Sequence, residues 1–202
     1  MNKRAESCWG VLTILLATSI NGWAGAGTGT TAVPFLTMGA GARALGMGEA
    51  ATATVDDATA LYWNPGGLTR LTGQSATFMH AASVEDSAYD YAAYGRGDGT
   101  RAWGVGLQYF SAGDVDETDL TGAKTGSMTP NDTALTGGYA RRIGQYGVGL
   151  SAKYVQSTLV DTARTLALDG GIMSPTFWKD RLRGGVTISN VGGKITYDQE
   201  SA

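Results

Sequence analysis

Hydrophobic and polar residues alternate along most of the chain after residue 73. In 101–111, large side chains from Trp103 to Tyr109 occupy the odd positions, and small or polar residues occupy the even positions. The same alternation recurs in 145–157 and 181–191. Because successive side chains of a β-strand point to opposite faces, each segment predicts a strand with one apolar and one polar face. The pattern predicts seven strands, near 74–83, 88–96, 101–111, 132–142, 146–157, 163–173 and 182–191.

The connections between these strands differ in length. Short connections at 97–100, 143–145 and 174–181 fall at one end of an up-and-down sheet, whereas the long polar segment 112–131 falls at the other end. Outer-membrane β-barrels have short periplasmic turns and longer external loops. The connections therefore favour transmembrane strands, with segment 112–131 outside the cell.

A Gly- and Ala-rich segment, 36–71, precedes the first predicted strand and follows a different pattern. Asp56 and Asp57 suit the start of a short helix, because negative charge complements the exposed N–H groups there. Apolar residues then recur at helical spacing over 58–62. A short helix is therefore predicted within this segment.

The end of that helix is also marked. Pro65 disfavours helical geometry at Asn64, and the Gly66-Gly67 pair allows a tight reversal. We therefore expect a compact, plug-like hatch over 27–73, followed by strands over 74–202.

Four motifs resemble a known family. They are GARALGMG at 41–48, DDATALYWNPGGL at 56–68, GYARRIG at 138–144 and NVGGKITY at 190–197. Together they resemble the PorV/PorQ family of bacterial outer-membrane proteins, which is similar in turn to the FadL long-chain fatty-acid transporters. The FadL hatch carries a related N-P-A-G motif, and this chain has Gly66 where alanine is expected.

The resemblance implies an antiparallel transmembrane β-barrel of FadL-like type with a short N-terminal hatch. Single-chain bacterial barrels usually have an even number of strands, so about seven strands predict a partial barrel and an N-terminal fragment of a longer protein. The hatch motif is the candidate functional site, and two roles stay open for it. Small shifts of the hatch would open a path for an apolar ligand, or the hatch would only block the lumen and help the barrel to fold. The motif residues are Asp56, Asp57, Asn64, Pro65 and Gly66.

Two functions agree with the resemblance. One is a conduit for hydrophobic small molecules, and the other is a component of type IX protein secretion that handles exported cargo. The expected partners are outer-membrane lipid and either hydrophobic small molecules or secreted protein. The alternative from another class is a soluble periplasmic or cell-surface β-protein with a binding role.

Residues 1–26 have the features of a secretory signal peptide. Lys3 and Arg4 supply a positive start, residues 9–20 an apolar centre and residues 24–26 a small-residue cleavage site. The apolar run is shorter than the roughly 20 residues of a membrane span, which disfavours an uncleaved anchor. A cleaved signal peptide and a Gram-negative outer-membrane location are predicted.

Composition narrows the function further. The formal charge of -3 provides no basic surface for nucleic acid. Cys8 is the only cysteine, so no disulfide can form within the chain. Only 16% of the residues are charged and 31 are glycine, which suits membrane strands and also glycine-rich soluble β-proteins.

Candidate chemistry is sparse, and we expect no enzyme activity, no cofactor and no metal. His80 is the sole histidine, without a partner set for a metal site or a catalytic triad, and is expected to line the lumen or lie near a rim. Asp114, Asp116 and Asp119 have a spacing faintly like a calcium loop, but the required glycine is absent and a solvated loop is favoured.

Arg141 and Arg142 are expected on opposite faces of a strand, as interface anchors. Aromatic girdles are predicted from Tyr89, Tyr91, Tyr94, Trp103, Tyr109, Tyr139, Tyr146 and Tyr154.

Overall fold

The computed structural model of the protein describes residues 33–83, 86–159, 161–179 and 181–193. The predicted signal peptide at 1–26 and the first residues of the predicted hatch, 27–32, lie outside the described residues. None of the helices in the described ranges has the length and apolar character needed to cross a membrane.

Seven strands form one antiparallel sheet. Each strand pairs with the next along the sheet, and within the described residues the two edge strands pair on one side only. The antiparallel all-β prediction is confirmed, as is the position of all seven strands, although the last begins at 185 rather than 182. In sheet order the strands are β1 Gln74–Ala82, β2 Ala88–Gly97, β3 Arg101–Ser111, β6 Asn131–Ile143, β7 Tyr146–Thr158, β8 Thr162–Met173 and β9 Gly185–Gly192.

The long segment between β3 and β6 is folded rather than being only a polar loop. β4 (Val115–Thr118) and β5 (Lys124–Met128) form a separate two-stranded hairpin. The Asp119 carboxylate accepts hydrogen bonds from the backbone N–H groups of Thr121 and Ala123, at 2.8 and 3.0 Å, and so holds the turn. An aspartate that bonds backbone two residues on is a local turn former, which explains why this short polar hairpin closes.

The hatch, which we define as residues 33–73, is built from four short helices. They are a 3₁₀ helix at Pro34–Thr37, α1 at Ala42–Gly46, α2 at Ala60–Trp63 and a second 3₁₀ helix at Pro65–Arg70. α2 ends before Asn64, as predicted. The expected reversal at Gly66-Gly67 was wrong. Asn64 is itself extended (φ -164°), so the change of direction occurs there and both glycines continue into the second 3₁₀ helix.

The two faces of the sheet have opposite character. In β3 the small or polar residues at 102, 104, 106 and 108 are buried, while the large residues at 103, 105, 107 and 109 are exposed. Leu150 of β7 and Phe78 of β1 are 69% and 72% exposed. The hatch covers the face of small residues. The packed core therefore lies between hatch and sheet, and no described residue covers the outer face, whose middle is apolar.

The sheet is curved around the hatch. Leu71, just after the second 3₁₀ helix, lies against Gly95 of β2, and Asn64, just before it, lies against Gly185 of β9. In the sheet, β2 and β9 are separated by five inter-strand spacings, which is about 24 Å if the sheet is flat. The 3₁₀ segment between Asn64 and Leu71 is only about 14 Å long. A flat sheet cannot meet both ends of it, so the wall of strands bends around this helix.

Candidate functional site

Asn64 lies at the centre of the contact between hatch and sheet. Its side chain is fully buried (0% exposed). The amide Nδ2 donates to the carbonyl oxygen of Thr52 at 2.8 Å and to that of Ile172 on β8 at 3.1 Å. Oδ1 accepts from the N–H of Gly66 at 3.0 Å. One side chain thus starts the second 3₁₀ helix and ties the hatch to the sheet, and its amide needs both a donor and an acceptor end to do so.

Glycines of the sheet make room for this turn. A methyl group added at Gly149 would lie 2.6 Å from the N–H nitrogen of Gly66, and one at Gly185 would lie 2.5 Å from the Thr52 carbonyl oxygen. On the hatch side, a methyl group at Gly66 would lie 2.7 Å from the Gly147 carbonyl oxygen. Backbone therefore packs directly against backbone. Any larger residue would push the hatch away from the strands.

A buried ion pair stands on the sheet beside the hatch. Lys153 on β7 and Asp169 on β8 have side chains that are 2% and 1% exposed, and their Nζ and Oδ2 atoms are 2.9 Å apart. Lys153 also donates to the Asn190 side-chain oxygen at 2.8 Å, and Asp169 accepts from the Ser151 hydroxyl at 2.8 Å. The pair therefore joins three strands through satisfied hydrogen bonds.

Tyr62 connects the hatch to that ion pair. Its ring centroid lies 5.8 Å from the Lys153 ammonium, within the range of a cation–π contact. Its hydroxyl donates to the Leu36 carbonyl oxygen and accepts from the Gly39 N–H, each at 3.0 Å. Burial raises the pKa of Tyr62, so the hydroxyl stays a donor at neutral pH. The sequence motif DDATALYW thus contributes a ring that braces two other parts of the hatch.

The five predicted motif residues separate into two groups. Asn64, Pro65 and Gly66 are buried together against the sheet. Asp56 is exposed and pairs with Arg43, with 3.0 Å between Oδ1 of Asp56 and Nη1 of Arg43. Asp57 accepts from the backbone N–H of Thr59, the residue before α2, at 2.8 Å, but neither acid lies in the first turn of α2 or caps it.

The other predicted residues fall in varied places. His80 lies near the end of β1 on the outer face of the sheet, where Nδ1 is 2.7 Å from Asp90 Oδ1, rather than on the face that the hatch covers. Asp116 is paired with Lys124 and Asp114 accepts from Thr129, both within the hairpin segment. Among the described residues, no group of three His, Cys, Asp or Glu side chains could hold a metal ion.

The predicted aromatic girdles need one correction. Tyr89 and Tyr91 of β2 are buried and pack against the hatch, because their odd positions place them on the inner face. Tyr94, at an even position, points outward and its ring lies 5.7 Å from that of Trp103. The remaining aromatic residues are exposed on the outer face: Trp103, Tyr109, Tyr139, Tyr146 and Tyr154.

Sequence reasoning missed the ion pair. Lys153 and Asp169 are 16 positions apart, and their proximity depends on the register of β7 with β8. A signal was present in the alternation itself, since both residues occupy positions that otherwise carry small residues. A charged residue at such a position predicts an inward-facing charge that needs a partner.

The family relationship follows from comparison with known proteins. No curated protein matches the chain. The model of the family described as type IX secretion system protein PorV matches residues 24–202, which is nearly the whole chain and includes the hatch and all seven strands. The predicted resemblance is thereby confirmed, and the chain belongs to the PorV family of outer-membrane proteins of the type IX secretion system.

Proposed function

We propose that the curved sheet spans the outer membrane as part of a β-barrel wall, and that the chain serves protein secretion there without enzymatic activity. The observation that carries the proposal is the outer face of the sheet. Its middle carries exposed apolar side chains such as Phe78, Leu150 and Ile188, whereas charged residues such as Asp90 and Arg141 lie near strand ends. Nothing within the described residues covers this apolar band, which would be unfavourable in water. In lipid the same face is favourable, and the hatch fills the interior.

The spacing of the outer aromatic residues supports this placement. Tyr146 and Tyr154 lie eight residues apart on β7, about 27 Å along the strand and about 21 Å across a bilayer at a tilt of about 40°. Membrane barrels carry an apolar band of about 25 Å between two aromatic girdles. Strand edges cannot stay unpaired in lipid, so β1 and β9 would join further strands to close the wall.

Protein secretion is favoured over passage of hydrophobic small molecules. A conduit for apolar ligands needs apolar pockets beside the hatch. The larger cavity that adjoins the hatch, of about 560 Å³, is lined mainly by polar and charged residues, including three arginines. A smaller one of about 230 Å³ combines Leu36, Tyr62 and Trp63 with polar residues and the charged Lys153. The family relationship points to secreted protein as the partner. The folded hairpin β4–β5, at the end of the strands that we place outside the cell, is the surface we assign to it.

Tryptophan quenching tests the membrane placement. Trp103 is on the outer face, whereas the indole N–H of Trp63 donates to the Ala40 carbonyl oxygen inside the hatch, at 2.7 Å. Variants that keep only one of these tryptophans, with the others changed to phenylalanine, are placed in vesicles of phosphatidylcholine with brominated acyl chains. We expect strong quenching of Trp103 and weak quenching of Trp63. Equal quenching of the two would contradict a lipid-facing outer surface.

Shortening the hairpin tests the secretion role. Residues 115–128 are replaced by a short Gly-Ser linker in the natural host, and secreted proteins are measured in the medium. The control changes Gly99→Asn in the short β2–β3 turn, where φ is +82° and asparagine is tolerated. We expect secretion to fall in the hairpin variant only, at equal amounts of protein in the outer membrane. Unchanged secretion would contradict the assignment of the hairpin.

A further inference from the structure

Three arginines from separate parts of the chain line one cavity. Arg70 ends the second 3₁₀ helix of the hatch, Arg142 lies near the end of β6, and Arg183 precedes β9. The cavity of about 560 Å³ opens at the end of the sheet that carries the short turns, between the hatch and the inner face. Its size is within the range of about 300 to 1,000 Å³ that is typical of small-molecule sites, and larger than a single inorganic ion needs.

The positive charge of this cavity is not neutralised within the described residues. Asp56 is the one acidic residue that lines the cavity there, and its carboxylate is already paired with Arg43. Arg70, Arg142 and Arg183 form no ion pair with any described carboxylate. Like charges held together in this way repel one another and favour an anion between them.

Arg70 shows the effect most clearly. Its Nε is buried and has no hydrogen-bond partner among the described residues. Burial, followed by the nearby positive charge of Arg183, lowers the pKa of Arg70, and the Asp56 carboxylate offsets only part of this effect. A buried guanidinium N–H without an acceptor is costly, and an anion bound by the rest of the Arg70 guanidinium would offset part of that cost.

We propose that this cavity is a binding site for a phosphate-bearing ligand, held by the guanidinium groups of Arg70, Arg142 and Arg183. Guanidinium forks match the oxygen geometry of phosphate, and a doubly charged group balances three cations better than a single carboxylate does. The bound anion joins the hatch to β6 and to the segment before β9. A soluble phosphate ester and a phospholipid head group present the same chemistry, and the experiment separates the two.

Calorimetry on the full chain in maltoside micelles tests the site, with glycerol 1-phosphate and pyrophosphate as probes in a phosphate-free buffer. A parallel measurement compares retention of phosphatidylglycerol with that of phosphatidylcholine by native mass spectrometry. The variants are R70Q, R142Q, R183Q and the triple change. The matched control for the soluble probes is R141Q, because Arg141 is adjacent to Arg142 and lies on the opposite face of β6, outside the lining of the cavity.

We expect each single variant to bind about tenfold more weakly and the triple variant to show no binding, whereas R141Q should bind the soluble probes as the unchanged protein does. Affinity should fall with added salt, because the contacts are ionic. Arginine-dependent binding of the soluble probes identifies a soluble ester, and arginine-dependent retention of phosphatidylglycerol alone identifies a lipid head group. The inference is overturned if neither ligand class distinguishes the triple variant from the unchanged protein. Thermal unfolding without ligand shows whether the variants are folded.

Discussion

Neighbouring glycines on β8 allow the contact between hatch and sheet to be tested one methyl group at a time. Gly171 is on the inner face, where an added methyl group would lie 3.0 Å from Asn64 Cγ and 3.0 Å from Pro65 Cδ. Gly170 is on the outer face, where the nearest heavy atom would be Leu150 Cδ2 at an ordinary 3.5 Å. The two changes to alanine are chemically identical and differ only in what the methyl group meets.

The two substitutions are expected to change the free energy of unfolding in opposite directions. In both variants alanine removes the conformational entropy cost of glycine, a gain of about 0.5 to 1 kcal/mol. In Gly171→Ala, overpacking against the buried Asn64 side chain and the Pro65 ring costs about 1 to 3 kcal/mol. Displacing the buried Asn64 amide from its partners costs about 1 to 3 kcal/mol more. We therefore expect Gly171→Ala to lose about 1 to 5 kcal/mol and Gly170→Ala to gain slightly.

Guanidinium unfolding in detergent micelles, followed by tryptophan fluorescence, measures both variants under the same conditions. Trp63 lies in the hatch and reports its release. If the two variants unfold at the same denaturant concentration, the close packing of Asn64 and Pro65 against Gly171 does not hold the hatch, and the reasoning from this glycine is refuted.

Three further changes test single interactions. Lys153→Met leaves Asp169 buried without its counter-ion and should lower the free energy of unfolding in guanidinium by about 3 to 5 kcal/mol. Adding Asp169→Leu should restore much of this loss. A double variant no more stable than the single variant would contradict this. Asn64→Asp places an oxygen against two carbonyl oxygens and should destabilise by more than about 2 kcal/mol at neutral pH, less so at low pH where the acid is protonated. The backbone N–H groups of Arg101 and Thr100 lower the pKa of Asp98, so its stabilising effect is present above the unfolded value of about 3.9 and is lost as pH falls through the lower folded value. Asp98→Asn should therefore reduce stability near neutral pH and have no effect in strong acid, and a pH-independent difference would exclude this origin.

The strands could be predicted from the sequence because their period is local. Alternation in segments such as 101–111 and 146–157 fixes which side chains share a face, and short turns fix which strands are neighbours. Tyr89 and Tyr91 occupy odd positions of β2, which face the hatch, so the same alternation explains why they do not belong to the girdles. The hairpin β4–β5 was missed because its strands are only four and five residues long and polar.

The contacts of the hatch could not be predicted in the same way. The partners of Asn64 and the ion pair of Lys153 with Asp169 depend on register and curvature, which set distances between residues far apart in the chain. The glycines at 147, 149 and 171 are visible in the sequence as small residues on one face. Their role in leaving room for residues 64–66 follows only from the three-dimensional structure, where those residues pack directly against them.

The bond between Asn64 and the Ile172 carbonyl oxygen spans 108 positions of the chain. Among the described segments, the hatch is synthesised first, whereas the strands that contact it at Asn64 are among the last to be synthesised. Ordering a loop of this length has an entropic cost that must be met before the contact exists, so this contact belongs to the late stages of folding. The contact between hatch and sheet therefore forms only when the sheet is complete. The turn at Asn64 can meet its partners only after β7, β8 and β9 have paired in the correct register.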